Sequence, residues 1–257
     1  MKKYILFIIV CAMMMGVSVA QTIKIVYGDT VNKTDVHGKK QGYWVETSGS
    51  YQIKGNYVND QKEGCWITYH PNGMISKMES FTHGIVDGVS VTMDDKGFLL
   101  SEDSYKMGVL HGLSRKFASG GRKTSEMTYR KGLLDGPKTM YYDNGKMMEE
   151  SYYVNDLRDT VTTWYSTDGK KVAEYTYLKG LFEGPQTTYY DDGSVMLKEN
   201  FKNNLPVGES KEFFKGGKIK VQGQYVNGLK EGKWIEYDEN GKVVNTVVYK
   251  AGEEKKK

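Results

Sequence analysis

The chain has 257 residues, with 30 Gly, 20 Tyr, 4 Pro and 2 Cys, and at 39% hydrophobic and 26% charged it is too apolar and too charge-balanced to be disordered. Lys and Arg total 36 against 32 Asp and Glu, a net +4, so composition gives no strong pull toward nucleic acid or acidic lipid.

Residues 1–20 read as an export signal. Lys2 and Lys3 form a positive head, Tyr4 to Val17 is almost wholly apolar, and Ser18-Val19-Ala20 supplies the small residues a signal peptidase requires. The expectation is cleavage after Ala20, with no integral membrane segment left and a periplasmic or extracellular location. Val10 before Cys11 disfavours a lipoprotein signal. Residues 21–257 carry 34 basic and 32 acidic groups and one thiol, Cys65, so no intramolecular disulfide can form.

After a lead-in over 21–34, an internal repeat runs from 35 to 252. Gly64, Gly88, Gly112, Gly136, Gly184, Gly208 and Gly232 share one 24-residue register, with Thr160 in the missing place and Gly42 beginning the series 22 residues early. An aromatic follows the same step without exception from Tyr57 to Tyr249. Nine units result. With the glycine as position 0, position +9 is Gly in all eight full units, usually after Asn or Asp, and position +20 holds only Gly, Asn or Asp. Both columns suit the left-handed backbone of tight turns.

Two turns in 24 residues leave two short strands per unit, and no later segment reads as a helix. The expected fold is all-β, an elongated single-layer antiparallel meander of nine hairpin repeats. Position +5 is aromatic in seven of eight full units, and alternation places +1, +3 and +5 on one face, where Ile67 and Val91 join the rings. Residues 253–257 read as a charged tail that discourages edge pairing.

The run Tyr225-Val226-Asn227-Gly228-Leu229-Lys230-Glu231-Gly232-Lys233-Trp234-Ile235-Glu236-Tyr237-Asp238-Glu239-Asn240-Gly241 resembles the MORN repeat, and residues 57–73 match apart from Asp60. More closely the chain resembles a bacterial MORN-repeat variant group with antitoxin-like members. The resemblance implies a single-layer sheet with roles in scaffolding and protein association, and in some members membrane proximity. Thr160, Asp156 and Trp164 at +4 depart from the pattern, which fits either a local bulge or bend or a partner-specific feature.

Little chemistry is concentrated anywhere. His37, His70, His83 and His111 lie at +19, +6, +19 and +23, without ligand spacing, so no metal or cofactor is expected. Cys65 at +1 reads as a small buried hydrophobe, and the acidic turns at Asp94, Asp191-Asp192 and Asp238 as hairpin chemistry rather than calcium loops. The aromatic columns are the sharper candidates. A central row of Tyr141, Tyr165 and Tyr189 could meet a protein or glycan, while Tyr142, Tyr190 and Phe214 at +6 point to the opposite face and are the better surface candidates. The expected function is a non-enzymatic exported scaffold binding a protein or cell-envelope partner and no nucleic acid. Alternatives are an antitoxin-like component of a toxin pair and, behind it, a carbohydrate-active or lipid-associating protein.

Overall fold

The computed structural model describes residues 31–255, so the proposed signal peptide and the last two lysines lie outside the described residues. Every regular element among them is a strand. Twenty strands run from β1 (Lys33–Thr34) to β20 (Glu253–Glu254), each pairing antiparallel with its sequence neighbours in one open meander.

The two turns of each unit differ. At the first, the position +9 amide donates to the +6 carbonyl and the +6 amide to the +10 carbonyl, as at Gly73 and His70 (2.9 and 2.7 Å). A one-residue register shift accompanies it, as between Thr68 and Tyr69. The first unit lacks two residues because it closes at Gly49 and Ser50 without that shift. The second turn has two consecutive left-handed residues, so the non-glycine +19 column is left-handed throughout, including Met107, Lys131 and Ala251 (φ 50°, 53° and 47°). Sequence reading saw only +20.

That second turn is tied to the unit before it. Each +20 amide donates to the carbonyl 22 residues upstream, or 20 for Asp60. Where Asp or Asn replaces Gly, Oδ1 also accepts an upstream amide: Lys40 for Asp60 (2.7 Å), Leu134 for Asp156 (2.7 Å) and Phe182 for Asn204 (2.6 Å). Asp156 is thus a variant clasp, not a defect. A further column of acids at +23 holds the +19 amides, with Glu63 accepting from His83 at 2.8 Å and Glu231 from Ala251 at 2.7 Å.

Position 0 lies in a two-residue bulge. On β3 (Tyr51–Val58) and β4 (Gln61–Tyr69), Lys54 pairs with Ile67 but Asn56 pairs with Glu63. Glycines here have positive φ, and Thr160 adopts φ 59° in the same bulge. Thr160 therefore makes no bend of its own, since the neighbouring ladder shifts between Glu150 and Tyr152 just as its equivalents do. It is a β-branched residue held in a strained conformation.

The two faces are unequal. The most buried column is +2, where Trp66, Ser90, Ser114, Thr162, Gln186, Ser210 and Trp234 are 0–9% exposed. The polar character of most of that column hid it from the sequence. The aromatics from Tyr57 to Tyr249 lie on this buried face, whereas the +5 aromatics lie on the open one. A one-residue shift near the +9 turn changes the parity between them.

Burial on a single layer is achieved by size complementarity between +2 and position +15 of the preceding strand. A Cβ added at Gly55 would sit 2.2 Å from the Trp66 ring, and one at Gly223 2.2 Å from Trp234. Trp66 also meets Tyr57 and Phe81 edge-on, with centroids 4.8 and 6.4 Å away. All four tryptophans are covered by a cation at +22: Lys40 over Trp44, Lys62 over Trp66, Arg158 over Trp164 and Lys230 over Trp234, at 4.6, 4.3, 5.7 and 4.3 Å. Where +2 is serine, the +15 residue is acidic. Ser114 Oγ donates to Asp103 at 2.6 Å and Ser210 Oγ to Glu199 at 2.9 Å.

Candidate interaction surface

The central open face is organised by the +5 rings and the +14 side chain beside each. Tyr165 donates to Glu150 and Tyr189 to Glu174, which Lys171 also holds. Lys123 stands 4.5 Å from the Tyr141 ring centroid and Lys54 4.8 Å from that of Tyr69. Burial, reinforced by the adjacent carboxylate, pushes both Tyr165 and Tyr189 up to about 12. These phenols remain neutral donors at physiological pH. The row expected at Tyr141, Tyr165 and Tyr189 is thus a regular array of rings with fixed hydroxyls.

The +6 residues bridge units along the +9 rim. Tyr142 donates to the carbonyl of Tyr165 at 2.7 Å and Tyr190 to that of Phe213 at 2.7 Å, while His70 Nε2 lies 3.1 Å from the Met93 carbonyl. Their hydroxyls are committed within the fold and only ring surface remains to a partner. Phe214 has no hydroxyl to donate. Tyr141 and Tyr142, with Asp143, Asn144, Met148 and Thr167, line an open depression of about 470 Å3. Sequence reading named both tyrosines but missed Met148, which becomes their neighbour through pairing of β10 (Leu133–Tyr141) with β11 (Met147–Val154).

The other candidates stay apart. Lys131 donates its amide to His111 Nδ1 at 3.4 Å, and no group of three or more His, Cys, Asp or Glu among the described residues could hold a metal ion. Cys65 is half-buried rather than fully buried, and that burial raises its thiol pKa. Asp94 Oδ1 accepts the Lys96 and Phe98 amides at 3.0 and 2.8 Å, and Asp238 Oδ1 those of Asn240 and Lys242 at 2.9 Å. These acids cap turns.

The MORN repeat variant model matches residues 62–83, 134–155, 182–203, 206–227 and 230–251. The chain is a MORN-repeat protein. Its unmatched units keep the same strand pairing, as β7 (Leu99–Lys106) and β8 (Val109–Ala118) do. No curated protein matches the sequence. Among solved structures, a porin-like protein from Bacteroides uniformis ATCC 8492 is similar at 12% identity over 83% of this chain and 91% of that one, with a TM-score of 0.16, too low to indicate a shared fold. On the +20 rim, a column absent from the sequence reading also stands out. Seven aliphatics at 24-residue steps, from Ile85 to Leu229, are each 41–49% exposed.

Proposed function

We propose that this MORN-repeat array is an exported, non-enzymatic scaffold that holds a protein or cell-envelope partner along the +9 rim of its open face. The observation that carries this reading is the depression formed by Tyr141, Tyr142 and Met148, set among rings whose hydroxyls are fixed by Glu150, Glu174 and the Tyr165 carbonyl. Rigid aromatic surface with satisfied polar tips loses little entropy on binding. A strand array of constant period suits an extended partner better than a small solute.

A binding role without turnover is supported by the commitments of the acids. The +23 carboxylates hold turn amides, Glu126 is bound by Arg115 and Lys123, and Glu149 by Arg158 and Ser151. Export is supported by Lys2-Lys3, the apolar run and Ser18-Val19-Ala20.

Affinity capture from envelope extract, with the wild-type chain and Met148→Asp in parallel, tests the surface. The expected result is a stoichiometric partner retained by the first and lost by the second; equal capture by both contradicts it. Amino-terminal sequencing of the secreted fraction tests export, with Gln21 expected first. A hydrolysis screen against glycans that finds turnover would overturn the non-enzymatic reading.

A further inference from the structure

The aliphatic column on the +20 rim is not used by the proposed partner surface. Each member leans against the next unit's turn: a Cβ on Gly108 would lie 3.2 Å from Ile85, and one on Gly132 3.2 Å from Val109. This contact sets the column's position but leaves nearly half of each side chain exposed. Toward the C-terminal half the column doubles. Val154 pairs with Leu157, Leu178 with Leu181 and Val226 with Leu229, and all six are 41–50% exposed. Polar residues close it at both ends, since the same position is Gln61 one step before Ile85 and Glu253 one step after Leu229.

We propose that this ridge is the interface of a two-fold symmetric homodimer, in which the ridges of two copies run antiparallel about an axis at Leu157. The repeat length points to a second copy. Successive ridge residues are two strands apart, roughly 9.6 Å, so seven span roughly 58 Å. A second array has the same period and keeps register along the whole length.

The area is sufficient. Ten half-exposed aliphatics at roughly 80 Å2 each offer roughly 800 Å2, the share per partner of a standard specific interface. The polar closures also fit, because Leu157 is the midpoint between Gln61 and Glu253 in column steps, so an antiparallel mate sets Gln61 against Glu253 and Ile85 against Leu229. The ridge is on the +20 rim and the Tyr142 depression on the +9 rim, which leaves both partner surfaces of such a dimer open.

Sedimentation equilibrium of the purified protein at micromolar concentration is expected to give twice the protomer mass. Leu157→Asp and Leu181→Asp, each exposed enough to fold with a polar side chain, are expected to weaken self-association at least 100-fold with an unchanged circular dichroism spectrum, while Met148→Asp stays dimeric. Should the aspartate variants unfold, cysteine crosslinking decides. In a Cys11→Ser, Cys65→Ser background, Leu157→Cys is expected to oxidise to a covalent dimer and Val109→Cys, whose mate is Leu205, is not. A monomeric wild type, a dimer unaffected by both aspartates, or crosslinking at 109 in place of 157 overturns the proposal. Binding of the ridge to lipid vesicles or a foreign protein by a monomeric wild type overturns it as well.

Discussion

The strands around Trp66 and those between Ser90 and Ser125 share one backbone plan but fill their buried face by different means. In the first, Trp66 lies on Gly55 between Tyr57 and Phe81 and under Lys62. In the second, β6 (Ile85–Met93), β7, β8 and β9 (Arg122–Arg130) bury Ser90, Ser101, Asp103, Ser114 and Ser125. There Ser114 and Lys116 converge on Asp103 at 2.6 and 2.8 Å, and Thr92 meets Ser101 at 2.7 Å. A tryptophan block gains from ring burial, whereas each hydrogen bond of the serine block adds only about 1 kcal/mol net. The lesson is that a constant fold period does not imply constant local stability, since each unit adds its own term to a nearest-neighbour sum.

The largest way to break this contrast is Trp66→Ala, expected to destabilise by about 3–5 kcal/mol in chemical denaturation, because the pocket on Gly55 would be left empty. Asp103→Ala should cost about 2 kcal/mol by stranding Ser114, which is 2% exposed, together with the Lys116 ammonium. Ser114→Ala, which leaves Lys116 on Asp103, should cost about 1 kcal/mol. Hydrogen exchange sharpens the same comparison without mutation. Amides of β7 and β8 are expected to exchange faster than those of β3 and β4, and equal protection would contradict the ranking.

Smaller effects concern backbone strain and pH. Thr160→Gly should stabilise by about 1 kcal/mol, because it releases a β-branched residue from φ 59°. Tyr165 and Tyr189 are raised from 10.0 to about 12, so their contribution is complete below pH 10 and is lost as pH rises through 12. Thermal melts should therefore fall between those values, and less steeply after Tyr165→Phe and Tyr189→Phe. Glu126 is lowered by Arg115 and Lys123; Glu149, despite burial acting to raise it, is lowered by Arg158, Ser151 and Lys138. Their contribution is complete above the ordinary value of 4.5 and is lost as pH falls through the lowered ones.

Much of the architecture was legible because Gly and aromatic residues recur where a backbone or a ring is required. The meander, the two turns per unit and the positions of Gly73, Gly84 and their equivalents come from that recurrence. The faces were not legible, because a one-residue shift near each +9 turn changes the parity that alternation assumes, as between Thr68 and Tyr69. Left-handed Lys131 and Met107 gave no local signal, since the turn imposes that conformation on any residue. The candidate surface was half visible. Tyr141 and Tyr142 were named from their columns, whereas Met148 joins them only through pairing, and the commitment of the Tyr142 hydroxyl to a carbonyl 23 residues away required coordinates. The ridge from Ile85 to Leu229 did have a sequence signal, an aliphatic at constant step, masked by the stronger glycine at its side.

Central to the account is size complementarity between +2 and the preceding +15 residue, which lets a single layer bury a face. A double-mutant cycle on Gly55→Ala and Trp66→Ser, measured by urea unfolding, tests it directly. Gly55→Ala alone is expected to destabilise by about 3 kcal/mol, since its Cβ would fall 2.2 Å from the indole, and by less than about 0.5 kcal/mol once residue 66 is serine. Additive effects, with Gly55→Ala equally costly in both backgrounds, would contradict it.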